Sequence, residues 1–106
     1  YANGIAGINT LPGIIVNEKG SQALPGKNRE KGGVCGAPIK WAGLDTVKRL
    51  DEIRKKNNYT FAIDGVGGVT TPEDYQEYRE KGADAVFSAT GAMWNPSLAQ
   101  EIKDQI

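Results

Sequence analysis

Four short stretches of this sequence gather small or neutral polar residues, three of them where apolar runs end and one at the close of a long polar loop. They are Asn9-Thr10, Gly32-Gly33-Val34-Cys35-Gly36, Gly65-Val66-Gly67-Gly68 and Ser88-Ala89-Thr90-Gly91. Glycine has no Cβ, so its backbone N–H can come within hydrogen-bonding reach of an anion, and a helix that follows directs its positive end at the same spot. Phosphate is the ligand this chemistry suits. The same glycines also serve an ordinary turn that needs positive φ, and one Gly-Gly pair does not separate the two readings. Two neighbouring strand-to-helix loops of the same small-residue character favour the phosphate. The spacing does not fit G-x-G-x-x-G, so a dinucleotide fingerprint is unsupported.

Asn9 and Thr10 are neutral hydrogen-bonders at a strand end. An amide that donates and accepts suits a flat polar heterocycle, and it equally suits a side chain that satisfies its own turn. Cys35 lies between glycines without a histidine to activate it, because the chain has none, and reads as a small packing residue rather than a nucleophile. The lack of histidine and the single cysteine also disfavour zinc sites and Ser-His chemistry, and no metal site is expected. The pairs Asp51-Glu52 and Glu73-Asp74 read as solvated helix faces or caps rather than acid/base pairs. Trp41 and Trp94 read as core or interface anchors.

These loops need elements to position them, and three strand-like segments alternate with three helix-like ones, the pattern of consecutive βα units around a parallel sheet. A first strand is expected at about Gly4 to Asn9, a second at Tyr59 to Asp64 and a third at Ala83 to Ser88. Between the first strand and the first helix runs a long polar excursion, with a short hairpin around Gly13-Ile14-Ile15-Val16, of the kind that forms lids or binding loops. The first helix is expected over Ala42 to Lys56, with Leu44, Val47, Leu50 and Ile53 on its inner side. Thr71, Pro72 and Asp74 form an acidic variant of a capping box, Gly82 ends that helix, and Asn95-Pro96 caps a last helix with Leu98, Ile102 and Ile106 inward. In such architectures ligands bind at the C-terminal ends of the strands, where three of the stretches fall, and the fourth, Gly32 to Gly36, closes the long loop after the first strand.

The 106 residues have room for one small domain, with 39% hydrophobic and 25% charged residues. Thirteen basic and thirteen acidic residues cancel, so no net field draws the chain to nucleic acid or an anionic membrane. No apolar run approaches the roughly 20 residues of a membrane span, and no signal peptide is visible. A cytoplasmic protein is expected. The chain opens on Tyr1 within the run-up to a strand, which reads as a piece of something longer.

Taken in order and spacing, "GINT", "GGVCGAPIKW", "GVGGVTTPEDYQEYREKGADAV" and "TGAMWNP" resemble the C-terminal part of dihydroorotate dehydrogenase, over essentially the whole chain. Asn9-Thr10 fits its soluble class 1 better than the membrane-associated class, which carries the reverse order. That family oxidises dihydroorotate to orotate in pyrimidine synthesis on an eight-stranded (β/α) barrel that holds FMN at its C-terminal mouth.

The resemblance implies that residues 1–106 are the last three βα units of one such α/β barrel, strands six to eight, with FMN as cofactor of the full-length flavin-dependent oxidoreductase. It implies that Asn9 hydrogen-bonds the orotate ring with Thr10 beside it. Gly33 and Gly36 let a loop lie against the flavin, Gly67 and Gly68 hold its phosphate, and Ala89-Thr90 close the cradle. Relatives commonly have Gly-Thr at Ala89-Thr90 and an apolar residue or glycine at Asp64. The family's catalytic base lies ahead of the fifth strand and so outside this chain, which alone should be inactive. The remaining N-terminal part of the barrel or a second copy of the chain is the expected cover for the sheet, since three strands cannot close a barrel. The alternatives are another FMN or phosphate-binding barrel enzyme, such as a dihydropyrimidine or dihydrouridine dehydrogenase, and a non-catalytic module.

Overall fold

The computed structural model describes residues 2–106. Strand β1 (Gly4–Gly7) leads into an antiparallel hairpin, β2 (Leu11–Ile14) and β3 (Lys31–Val34). A 3-10 turn at Ala37–Ile39 then enters helix α1 (Lys40–Asn57). Strand β4 (Ala62–Val66), helix α2 (Pro72–Lys81), strand β5 (Ala85–Phe87), a short helix α3 (Thr90–Trp94) and helix α4 (Leu98–Gln105) follow. β1, β4 and β5 form one parallel sheet with β4 central, Ala6 beside Asp64 and Asp64 beside Ala85. The three βα units expected from hydrophobic pattern are therefore present, with shorter strands. β2 pairs with β3 across the whole polar excursion, Leu11 opposite Val34 and Ile14 opposite Lys31.

That excursion is tied by side chains rather than by a core. Gln22 donates from Nε2 to the carbonyls of Leu24 (2.6 Å) and Gly26 (2.5 Å) and accepts the Arg29 N–H (2.9 Å). Asn17 Oδ1 accepts the N–H groups of Lys19 and Ser21. Asn and Gln can satisfy backbone groups in this way where no strand partner is available.

The core lies between the helices and one sheet face, where Val47, Ile63, Val69, Tyr78 and Ala83 cluster and Leu44, Leu50, Phe61 and Val86 pack around them. Thr71 and Asp74 form the capping box, Thr71 Oγ1 accepting the Asp74 N–H at 3.2 Å, and Gly82 ends α2 with φ +114°. Both signals are local in sequence, and the structure keeps both. At α4, Asn95 Oδ1 accepts the Ser97 N–H and Leu98 is buried, while Ile106 is exposed.

Three expectations need correction. Ile53 is 48% exposed, because the buried stripe of α1 continues from Val47 to Asp51, four residues on. Asp51 is itself buried, against the turn at Gly82, where a Cβ would stand 2.8 Å from the Asp51 Cβ. Its charge is met by Arg54 (2.8 Å) and Lys55 (2.6 Å), so it is neither solvated nor a cap. Trp41 and Trp94 are exposed at helix ends, which removes the core half of their reading and leaves the interface half.

Side chains alternate across a strand, so the sheet face away from the helices carries Ala6, Ala62, Asp64, Val66 and Phe87. No helix covers it, and Phe87 is half exposed. The accessible surface is 7504 Å², against roughly 5,800 Å² for a compact chain of this mass. The radius of gyration is 16.1 Å, against about 13 Å for a compact domain of this length. The chain is thus an open slab. Among the described residues no helix is long and apolar enough to cross a membrane.

Candidate functional site

At the C-terminal ends of the three parallel strands lies a cleft of about 200 Å³, and Asn9, Thr10, Gly36, Gly67, Gly68, Ala89 and Thr90 all line it. The topology produces this convergence. Parallel strands point all their C-terminal loops to one end, and the β2–β3 hairpin returns the chain so that Gly36 comes back to the loop after β4. Gly33 is set behind this lining, where a Cβ would collide with the Thr10 side chain. Its role in the geometry is to let the hairpin lie against Thr10.

The glycines of the β4 loop are required by contact and by backbone. Gly67 has φ +129° and Gly68 φ +70°. A Cβ on Gly68 would come within 2.8 Å of both the Gly36 carbonyl and the Lys40 Cβ. Gly36, itself at φ +79°, accepts the Ile39 N–H at 3.1 Å and opens the turn into α1. On the third side, Ser88 Oγ donates to the Val69 carbonyl (2.7 Å), which binds the β5 loop to the β4 loop. Thr90 Oγ1 donates to Cys35 Sγ at 3.3 Å, closing the ring of loops. Cys35 is exposed on the cleft wall rather than packed, a correction that follows from the return of the hairpin over α3.

Among the described residues no charged side chain lines the cleft. The nearby Lys40 is turned to Asp74 (2.7 Å) and Glu77 (3.1 Å), and the Asp74 hydrogen bond raises its pKa against the opposing effect of burial. Burial pushes the Asp74 carboxyl up, but hydrogen bonds from Lys40, from the Thr70 N–H and hydroxyl and from Thr71 outweigh it and hold the pKa at about 2. Asp74 therefore fixes the end of the glycine loop while remaining outside the cleft. Backbone N–H groups are among the donors left to the site: those of Gly67 and Gly68 have no acceptor among the described residues. Asn9 Oδ1 accepts the Thr10 N–H at 2.7 Å, which leaves its Nδ2 free to donate.

Sequence reasoning missed Tyr78, Lys40 and Gly43 as parts of this assembly. Tyr78 falls on the inner side of α2 and gives only a core signal. Its hydroxyl donates to the Gly67 carbonyl at 2.6 Å. Gly43 leaves the space in which that hydroxyl sits. Among the described residues no group of three or more His, Cys, Asp or Glu side chains could hold a metal ion.

The family model described as "Dihydroorotate dehydrogenase" matches residues 1–106. A dihydroorotate dehydrogenase of Dictyostelium discoideum is 41% identical over 97 residues, 92% of this chain and 26% of that protein. The catalytic subunit of dihydroorotate dehydrogenase B (NAD(+)) of Staphylococcus carnosus is 33% identical over 106 residues, 100% of this chain and 32% of that one. Among solved structures, DHODH from Eimeria tenella in complex with ferulenol aligns with a TM-score of 0.69 and 28% identity, over 96% of this chain and 25% of that one. The chain thus spans about a quarter to a third of the length of these relatives.

Proposed function

The chain belongs to the dihydroorotate dehydrogenase family, and from that premise we propose that it is the FMN-phosphate- and orotate-binding part of the enzyme that oxidises dihydroorotate to orotate. Residues 1–106 are then the last three βα units, strands six to eight, of a single (β/α) barrel of the soluble class. The open sheet face and the two uncovered sheet edges support this reading, because a barrel closes both.

The residues present fit FMN. A phosphate needs several convergent donors and little side-chain bulk, and the cleft offers bare backbone at Gly36, Gly67 and Gly68 and small side chains at Ala89-Thr90 without a charged lining. Gly67 and Gly68 hold the phosphate through N–H groups that lack protein acceptors, and Ala89-Thr90 bound it from β5. Gly33 and Gly36 keep the hairpin close enough to lie along the flavin. FMN would supply the hydride acceptor there, and the catalytic base would come from the part of the barrel ahead of this chain.

Asn9 and Thr10 serve the substrate. The free Nδ2 of Asn9 donates to a ring carbonyl of orotate, and Thr10, braced by Gly33, sets the edge of the pocket. The side chains bind and orient; none transfers a proton.

The observation that carries this reading is the convergence of three loops, with residues as far apart as Asn9 and Thr90, on one small cleft at the C-terminal strand ends. The test uses the full-length protein containing this chain. It should purify yellow, release FMN on denaturation and reduce a dye with dihydroorotate in preference to dihydrouracil. A folded, colourless protein without that activity overturns the proposal.

A further inference from the structure

Tyr78 is wholly buried beneath β4, its ring against Gly65 and its hydroxyl in the space left by Gly43. A Cβ on Gly43 would collide with that hydroxyl and stand 2.6 Å from the Val66 carbonyl. Two glycines thus admit one tyrosine side chain whose polar atom reaches a single acceptor, the Gly67 carbonyl, at 2.6 Å. Burial pushes the phenol up to about 12, so it remains a donor at physiological pH.

The peptide it holds is an unusual one. It joins two glycines, both at positive φ, and no other hydrogen bond to the Gly67 carbonyl or from the Gly68 N–H is present among the described residues. Glycine adopts either sign of φ at little cost, so the two residues themselves impose no sense on this peptide. In a planar trans peptide the carbonyl and the following N–H point in opposite directions. With the Gly67 carbonyl drawn down to Tyr78, the Gly68 N–H faces away from the core, on the side of the cleft. The opposite orientation would present a carbonyl oxygen to an anion.

We propose that Tyr78 is a positioning residue that sets the sense of the Gly67–Gly68 peptide and so aims the Gly68 N–H at the phosphate. The proposal rests on the phosphate site of the preceding section. It assigns the discrimination between FMN and the phosphate-free flavin to a hydroxyl that touches neither.

The test compares FMN and riboflavin binding to the full-length apoprotein by quenching of flavin fluorescence. Tyr78→Phe should weaken FMN by about ten-fold, the effect of losing one well-placed donor to an anion. Riboflavin affinity should stay unchanged, so the FMN-to-riboflavin preference falls. A variant that is merely loosened weakens both flavins alike, and that result, or an unchanged preference, overturns the proposal. Tyr75→Phe on the same helix is the control and should keep the wild-type preference. A wild-type protein that binds both flavins equally would instead overturn the phosphate site itself. If Tyr78→Phe does not load, glycine-selective amide spectra of the two apoproteins decide: the Gly68 resonance should differ between wild type and Tyr78→Phe, and an unchanged Gly68 resonance overturns the proposal.

Discussion

Arg54 on α1 and Asp84 at the head of β5, 30 residues apart, are joined by a hydrogen bond of 2.7 Å. The same guanidinium donates to the Phe61 and Gly82 carbonyls and to Asp51, and the same carboxylate accepts the Ile63 N–H at 2.8 Å. One planar fork thus ties the end of α1 to the start of β4 and to the α2–β5 turn. The Ile63 N–H and Arg54 lower the Asp84 pKa, and Lys55 and Arg54 lower that of Asp51. This network closes the sheet at the end opposite the cleft and holds the strands in register for the loops above.

Replacement of Arg54 should therefore act through stability rather than through ligand contact. Arg54→Ala leaves Asp51 buried with only Lys55 and strips two carbonyls of their donor. A loss of about 2–3 kcal/mol is expected for breaking such a partly buried charged network. Denaturant unfolding of the full-length protein should show the shift in midpoint, while FMN affinity at low denaturant stays near wild type.

Asp74 should give the fold an acid limb. Its carboxyl is held at about 2 in the folded chain against 3.8 as the ordinary value. A carboxyl lowered on folding stabilises while it is ionised, so the contribution is complete above about pH 4 and is lost as pH falls toward 2, by about 2 kcal/mol in total. Stability measured between pH 5 and pH 2 should fall along this limb in the wild type. Asp74→Asn should be less stable at pH 7 and should lack this part of the slope.

Gly68→Ala tests the bare backbone directly. The new Cβ would press within 2.8 Å of the Gly36 carbonyl and of the Lys40 Cβ, at a φ of +70° that alanine disfavours. The strain is about 1–2 kcal/mol, enough to displace the loop without unfolding the protein. The full-length variant should bind FMN about tenfold more weakly, a tenfold loss being about 1.4 kcal/mol, with its far-UV spectrum unchanged.

How much of this was legible depends on how far apart the cooperating residues lie. The capping box of Thr71 and Asp74 and the C-cap at Gly82 are written in adjacent residues, and both are found as read. The meeting of Asn9, Gly67 and Thr90 at one cleft was legible because parallel strands send all their C-terminal loops to one end of the sheet. Asp51 was misread because its neighbours Glu52, Lys55 and Lys56 make a solvated pattern, whereas its burial is imposed by Gly82 from another element. Tyr78 was invisible for the same reason, since its partner Gly67 and its permitting residue Gly43 lie on two other segments. The hairpin partner of β2 lay across a polar stretch whose order depends on Gln22, a residue without any local signature.

Asn9 should separate substrate binding from cofactor binding. Asn9→Ala removes the free Nδ2 donor and also the acceptor of the Thr10 N–H. Orotate affinity of the full-length protein, followed by the change in flavin absorbance, should fall about ten- to a hundred-fold, as for loss of a hydrogen bond with an unsatisfied partner left behind. FMN content should stay at the wild-type level, because among the described residues the Asn9 side chain bonds only the Thr10 N–H and none of the glycine loop's donors. A loss of flavin in parallel with orotate would show that Asn9 holds the loops rather than the substrate.

The open sheet predicts how residues 1–106 behave when produced alone. Their surface exceeds that of a compact chain of equal mass by roughly 1,700 Å², about what a standard protein interface buries. Part of the excess is apolar, with Phe87 on the uncovered face and Ile5 at the β1 edge. Unpaired edges of β1 and β5 add backbone donors and acceptors that template association. The isolated chain should elute as a dimer or larger, bind an exposed-surface dye and produce no orotate. Adding the N-terminal part of the barrel in trans should suppress the dye signal, because it covers the face that the dye reads. A monodisperse monomer with a cooperative unfolding transition and no dye binding would show that the slab is stable as it stands and that the barrel is not what completes it.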